Sequence, residues 1–170
     1  MAHLLFVIAP EVFRDEEYAV PREVLEGYGA TITTASTRPG LCSGKLGMTA
    51  EATLSIADAD PAAYDAVVFI GGGGAAVYFD DPAAHKLARG AFDAGRIVAA
   101  ICIAPSIIAH AWLLRGVKAT AFPSQEDDLH AHGALWSGAP VQVDLPFITA
   151  NGPEAAHEFA REIARALGLA

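Results

Sequence analysis

The stretch "RIVAAICIAP", residues 96–105, runs from a β-branched apolar segment into the start of a helix and carries Cys102, one of only two cysteines in the chain. Ala100 and Ala104 lie two residues before and two residues after it. Small residues at those positions allow the sharp strand-to-helix turn of a nucleophile elbow. A thiol there would face a helix N-terminus, whose N–H groups stabilise a thiolate. The same pattern also suits a small, inert core residue, so both interpretations stay open at this point.

Apolar, β-rich segments alternate with helical patterns along the rest of the chain. The predicted strands cover 4–9, 30–36, 64–70, 96–102 and 118–122. Short strands or a hairpin are expected in 37–58, and a hairpin or two edge strands in 139–150. The predicted helices cover 15–29, 80–95, 103–114, 123–133 and 152–169, the fourth with Ser124 and Asp127 as a capping box. This alternation predicts a single α/β domain over residues 1–170, with a mostly parallel sheet and helices on both faces. Sites in such sheets lie at the carboxyl ends of the strands.

Charge and composition exclude several classes of function. The net charge is −9 and no cluster of Lys and Arg is visible, so we expect no nucleic-acid partner. The N-terminal "MAHLLFVIAP" is too short for a membrane span and lacks a basic flank, which makes it a first strand. Two cysteines do not make a disulfide framework. We therefore expect a cytoplasmic protein with no membrane partner.

A second strand end, "FIGGGGAA" (69–76), carries four consecutive glycines. Such glycines let backbone N–H groups approach a reacting oxygen closely, and this loop would neighbour Cys102 at the same sheet edge. The loop resembles a dinucleotide-binding sequence only loosely, so we predict no cofactor. A plain strand-terminating turn is the alternative, above all for Gly73 and Gly74.

Acidic residues and histidines complete the set of candidates. Glu16 and Glu17 follow the first strand, and Pro21 leaves the Glu17 carbonyl without its helical hydrogen bond. That irregularity could aim the Glu17 carboxylate inward, whereas Glu16 fits a solvated first turn. His130 and His132 lie two apart and make a poor metal pair, and His110 is too far along its helix to act as a base for Cys102. The sequence therefore predicts no metal site.

Together these segments resemble the ThiJ/PfpI family, which includes the Parkinson-linked DJ protein and is related to class I glutamine amidotransferases. The resemblance covers nearly the whole chain and rests on five segments: Glu17 with "YAVP", "YDAVVFIGGGG", "VAAICIAPSIIAHAWLLRG", "KATAFPSQEDDL" and "ITANGPEAAHEFA". It implies a flavodoxin-like three-layer sandwich with Cys102 as the reactive thiol and Glu17 as its acidic partner. It further implies oxyanion-type N–H groups at Gly72 and Ile103, and a homodimer or larger homo-oligomer.

This chain departs from the family at the positions where a histidine base would be expected. Ile103 stands where the protease-like branch has histidine, and Ala76 where that branch has an acidic residue. Phe122 and Asn151 replace a histidine and an arginine of the Parkinson-linked branch. The departures favour a Glu–Cys pair acting on a small reactive carbonyl or a glycated substrate. An oxidative-stress sensor or chaperone-like protein with an oxidisable Cys102 is the alternative, and a PfpI-type intracellular protease is the weaker one.

Three further residues are candidate accessory groups, and the second cysteine has no assigned role. Gly73 lies in the glycine loop, Tyr78 follows it and could point toward the thiol, and Asn151 precedes Gly152 and a helix. Both are more often structural residues, Tyr78 through packing and Asn151 through its position near a helix start. Cys42 lies in the loop "GLCSG", where an incidental or an oxidisable thiol is possible.

Overall fold

The computed structural model describes residues 1–170 and contains twelve strands and five α-helices. The strands are β1 (His3–Val7), β2 (Glu11–Phe13), β3 (Thr31–Ser36), β4 (Gly40–Gly44), β5 (Thr49–Ala52), β6 (Leu54–Ser55), β7 (Ala66–Phe69), β8 (Ile97–Ile101), β9 (Lys118–Ala119), β10 (Leu135–Trp136), β11 (Val141–Asp144) and β12 (Phe147–Ala150). The helices are α1 (Asp15–Gly27), α2 (Pro82–Asp93), α3 (Pro105–His110), α4 (Glu126–Ala131) and α5 (Ala156–Ala166).

Seven of the strands form one central sheet in the order β11-β12-β8-β7-β1-β3-β6. Every neighbouring pair is parallel except β11 and β12, which form an antiparallel hairpin. Strand β8 lies inside the sheet, between β7 and β12. The residue that follows β8 is therefore held by a strand paired on both of its edges.

Helices cover both faces of this sheet. Strand residues alternate between two buried clusters, so that Leu5 and Val67 pack in one and Leu4 and Val68 in the other. The first cluster includes Leu87 of α2, Ile107 of α3 and Leu129 of α4, and the second includes Leu25 of α1 and Phe159 of α5. Strands covered on both faces read as continuous apolar runs, which is why the sequence predicted them. The three-layer α/β fold is confirmed.

The segment after β8 differs from its sequence-based prediction. A helix is predicted over 103–114, but α3 ends at His110. Trp112 adopts a left-handed φ of 61°, and its N–H donates to the Ala109 carbonyl. An α-helix cannot continue through a residue in that conformation, so the apolar pattern outlasts the helix.

Two smaller predictions also need correction. Ser124 does not cap α4, because its hydroxyl donates to the Gln125 side chain and α4 begins without a side-chain cap. The strand predicted over 118–122 is reduced to β9, which pairs with β10 outside the main sheet. Thr120 then donates its N–H to the Thr149 hydroxyl instead of extending a ladder. No helix is both long and apolar enough to cross a lipid bilayer.

Candidate active site

Cys102 directly follows β8 and adopts a left-handed φ of 65°. Its N–H donates to the Ala150 carbonyl at 2.9 Å, and its own carbonyl accepts the N–H of Phe122 at 2.8 Å. Ala100 and Ala104 are both fully buried, so larger side chains at these positions would not fit the turn. A left-handed conformation costs a residue with a Cβ about 1–3 kcal/mol and is typical of functional sites. The sharp turn expected from the alanine spacing is present.

The glycine loop allows the elbow to approach α1. A Cβ added at Gly71 would clash with Oε1 of Glu17 and would lie 2.5 Å from the Cys102 Cβ and 2.6 Å from the Ile101 carbonyl oxygen. Only a glycine therefore fits between the carboxyl group and the thiol. The sequence predicts roles for Gly72 and Gly73 but does not distinguish Gly71. The run of four glycines was the available signal, but it does not show which of them faces the nucleophile.

Gly72 adopts a φ of +101°, a conformation that L side chains rarely adopt. A Cβ there would lie 2.6 Å from the Val12 carbonyl oxygen. The neighbouring Gly71 carbonyl accepts the N–H of Arg14 at 2.9 Å. The segment before α1 is thus hydrogen-bonded directly to the glycine loop, and this contact fixes where α1 begins.

Glu17 lies on α1 and is completely buried. It shares the inward face of α1 with Tyr18, Pro21 and Leu25, and α1 continues through Pro21. The prediction that an irregularity at Pro21 turns the Glu17 carboxyl group inward is therefore wrong. Ordinary helical spacing places this carboxyl group on the buried face of α1. Glu16 stays at the surface, where Arg14 binds it at 2.9 Å.

Burial raises the pKa of Glu17 to about 7, although the adjacent Cys102 thiol and the Arg14 charge oppose that rise. Neither carboxylate oxygen has a hydrogen-bond partner of good geometry within the chain. A buried, poorly solvated carboxylate accepts a proton readily at neutral pH.

The backbone N–H groups of Gly72 and Ile103 lie close enough to the Cys102 sulfur to favour its thiolate form. Burial, and after it the negative charge of Glu17, raise the pKa of the thiol to about 12. The N–H groups of Gly72 and Ile103 act in the opposite direction and lower this pKa. The structure thus brings Cys102, Glu17, Gly72 and Ile103 together. A carboxyl group that titrates near neutral pH beside this thiol can serve as its general base when it is ionised.

A cavity of about 350 Å³ opens onto the thiol. Its lining comprises Arg14, Glu17, Lys45, Gly72, Gly73, Cys102, Ile103, Phe122, Ser124, Pro153 and Glu154. No imidazole belongs to this lining, so the chain itself supplies no histidine base there. A wider groove of about 610 Å³ lies between α1 and α5, but it contains no cysteine, serine or threonine.

Two of the accessory candidates lie outside the cavity lining. The Tyr78 hydroxyl is buried and donates to the Ile8 carbonyl at 2.8 Å, with Ser36 Oγ at 3.3 Å. Tyr78 is therefore a packing residue of the buried core. Asn151 directly follows β12, and its N–H donates to the Pro140 carbonyl. Gly73 does line the cavity.

The structure also gathers three groups that the sequence analysis did not connect. The ligand atoms of His110, Asp128 and His132 all lie within 4.8 Å of one another. His110 comes from α3 and the other two from α4 and its C-terminal end. The four-residue spacing of Asp128 and His132 was a local signal, but the approach of His110 depends on tertiary packing.

Residues 2–166 match the family model described as DJ-1/PfpI family. The chain belongs to this family. Among its DJ-1/PfpI relatives are an uncharacterized protein of Methanocaldococcus jannaschii, 36% identical over 98% of this chain and 82% of that protein, and a deglycase of Pyrococcus horikoshii, 32% identical over 96% and 98%. A crystal structure of a ThiJ/PfpI domain protein from Brachyspira murdochii superposes with a TM-score of 0.96, at 31% identity over 98% of this chain and 96% of that one.

Proposed function

We propose that this DJ-1/PfpI protein is a cysteine-dependent enzyme of the deglycase or glyoxalase type, acting on a small reactive carbonyl or a glycated adduct. One observation carries the proposal. A thiol on a strained elbow meets a buried carboxyl group and two backbone N–H donors on the wall of a cavity. The P. horikoshii relative named a deglycase supports the same reaction class.

The arrangement suggests how the covalent step proceeds. The Cys102 sulfur attacks the carbonyl carbon while the thiol proton passes to the Glu17 carboxylate. The carbonyl π electrons move onto oxygen, where the N–H groups of Gly72 and Ile103 can stabilise the developing charge. Glu17 then returns the proton to that oxygen, which leaves a neutral hemithioacetal. No external oxidant or base is needed for this step.

The charges on the cavity lining favour an anionic substrate. Arg14 and Lys45 both line the cavity, and Glu154 is the only acidic lining residue besides Glu17. Arg14 is engaged by Glu16 at 2.9 Å, so the exposed Lys45 is the more available cation. We therefore favour a carbonyl compound that carries a carboxylate or phosphate group.

The decisive experiment measures consumption of methylglyoxal and glyoxylate by purified Cys102→Ala protein. Loss of turnover is expected because the variant has no nucleophile at the elbow. Cys42→Ala is the matched control, since it removes the other cysteine, which is buried away from the cavity. Wild-type turnover in the Cys102→Ala variant would disprove the proposal.

A redox-sensing role is a second candidate, favoured by the absence of an imidazole from the cavity lining. Here peroxide would oxidise the Cys102 sulfur to a sulfenic and then a sulfinic acid, each step transferring one oxygen and releasing water. The same N–H groups, and a protonated Glu17, could stabilise the sulfinate. Intact-mass analysis after peroxide treatment should show two added oxygen atoms in wild type and Cys42→Ala, but not in Cys102→Ala. Equal oxidation of all three proteins would rule this role out.

A further inference from the structure

A cluster of two imidazoles and one carboxylate lies at the far end of α3 from the thiol. His110 Nε2 is 2.9 Å from both carboxylate oxygens of Asp128, and His132 Nδ1 is 3.5 Å from Asp128 Oδ1. The two imidazole rings stack with centroids 4.3 Å apart. The side chains are partly buried, with exposed fractions of 16% for His110, 29% for Asp128 and 18% for His132. The cluster is therefore both preformed and open to an ion from solvent.

Each imidazole is oriented through its Nδ1 atom. Asp80 Oδ1 lies 2.8 Å from Nδ1 of His110, and the backbone carbonyl of Asp128 lies 2.8 Å from Nδ1 of His132. Histidines that bind metals usually donate Nδ1–H to a carboxylate or a carbonyl in this way, which presents the Nε2 lone pair to the ion. Both histidines thus have the outer partner that a metal ligand requires.

We propose that His110, Asp128 and His132 form a binding site for one divalent transition-metal ion, with Zn²⁺ as the best fit. Two imidazoles and a carboxylate are a ligand set that Zn²⁺ and Co²⁺ accept, whereas Ca²⁺ and Mg²⁺ prefer oxygen ligands alone. Ligand atoms around a tetrahedral Zn²⁺ lie about 3.3 Å apart. One ligand atom from each of the three residues already lies within 4.8 Å of the other two, which is close to that spacing.

The ion would take the place of the contact between His110 Nε2 and the Asp128 carboxylate. Nδ1 of His110 would keep its contact with Asp80, and one coordination position would be left for water.

The site is separate from the proposed active site. Cys102 precedes α3 and His110 ends it, and none of the three ligands lines the cavity at the thiol. The ion would instead join the ends of α3 and α4 and, through Asp80, the turn before α2. Its expected effect is to stabilise the packing of these elements.

Titration of chelator-treated protein with ZnCl₂ in a calorimeter tests the site, and absorption of the Co²⁺-loaded protein reports its geometry. We expect one ion per chain. His132→Ala and Asp128→Asn should each weaken Zn²⁺ binding at least about tenfold, and Asp80→Asn should weaken it as a positioning residue. Trp112 lies 4.7 Å from the His132 ring, so Co²⁺ should also quench its fluorescence.

His130→Ala is the matched control, since it removes an exposed histidine of the same helix that pairs with Glu126 instead. Cys102→Ser controls for binding at the thiol. Both variants should bind Zn²⁺ as wild type does, and melting curves without metal identify any variant that is unfolded. Absence of one-to-one binding in wild type, equal affinity in His132→Ala, Asp128→Asn and His130→Ala, or loss of binding in Cys102→Ser would each overturn the proposal. If one ligand variant is unfolded, the other decides.

Discussion

The Glu17 carboxyl group lies beside the Cys102 sulfur, and its negative charge raises the pKa of the thiol. Glu17 itself has a pKa near 7 because it is buried. Gly71 makes this proximity possible, since any side chain there would clash with Glu17 and with the elbow. The pair therefore holds a proton that can pass from sulfur to carboxylate without rearrangement of the backbone.

The raised pKa of Glu17 predicts a pH-dependent loss of stability. Its value rises from 4.5 in the unfolded chain to about 7 in the folded one, so the folded state binds the proton more tightly. The contribution of Glu17 to stability is then fully present below pH 4.5, is lost as the pH rises through 7, and is smaller by at most about 3 kcal/mol at pH 8. Glu17→Gln should lack this loss, and urea unfolding of both proteins at pH 5 and pH 8 measures it.

Glu23→Gln is the matched control for this experiment, because it removes an exposed carboxyl group from the same helix. The comparison of Glu17→Gln with Glu23→Gln isolates the effect of burial. A stability difference between wild type and Glu17→Gln that is the same at both pH values would contradict the assignment of a raised pKa to Glu17.

Lys45 is predicted to select anionic substrates. Replacing it with Met should lower kcat/KM for glyoxylate about threefold to tenfold, the equivalent of about 1 kcal/mol from one exposed charge, and leave methylglyoxal turnover unchanged. Added salt should reduce the effect in wild type. Lys86→Met, an exposed lysine of α2 outside this cavity, serves as the control. An equal loss for both substrates would show that Lys45 has no role in charge recognition.

Two adjacent glycines are predicted to differ sharply in their tolerance of alanine. Gly72→Ala would place a Cβ 2.6 Å from the Val12 carbonyl oxygen at a φ of +101°, and it should cost more than about 2 kcal/mol of folding stability. The Cβ introduced by Gly73→Ala would lie no closer than 3.9 Å to any atom beyond its chain neighbours, so this variant should change stability by less than about 0.5 kcal/mol. Thermal or urea unfolding measures both, and similar values for the two variants would contradict the geometry of the loop.

Tyr78→Phe separates packing from catalysis. The change removes a buried hydroxyl that donates to the Ile8 carbonyl, so it should cost about 1–2 kcal/mol of stability. Because the hydroxyl lies outside the cavity lining, kcat for methylglyoxal should stay at the wild-type value. A fall in kcat with unchanged stability would restore Tyr78 as an accessory group of the site.

The sequence predicted those features that depend on local patterns. Strands such as β7 are continuous apolar runs, and the turn at Cys102 follows from Ala100 and Ala104, so both could be found by inspection. The length of α3 could not, because its end depends on the backbone conformation of Trp112 and not on a break in the apolar pattern.

Contacts between distant elements were likewise out of reach. His110 meets Asp128 only because α3 packs against α4, and Gly71 meets Glu17 only because α1 lies over the loop. The residue types of His110 and Gly71 do not indicate by themselves which distant residue each will contact. For the same reason, helical spacing identifies the inward face that carries Glu17, but it does not reveal what that face contacts.

The two hydrogen bonds that fix the backbone of Cys102 have a consequence for how the protein opens. Its N–H is held by Ala150 and its carbonyl by Phe122, at the end of a strand paired on both edges. The amide hydrogen of Cys102 should therefore exchange with solvent deuterium only in molecules that have unfolded globally. Local opening should therefore leave the backbone of this residue in place, so the fraction of protein with a correctly formed elbow should equal the fraction that is folded.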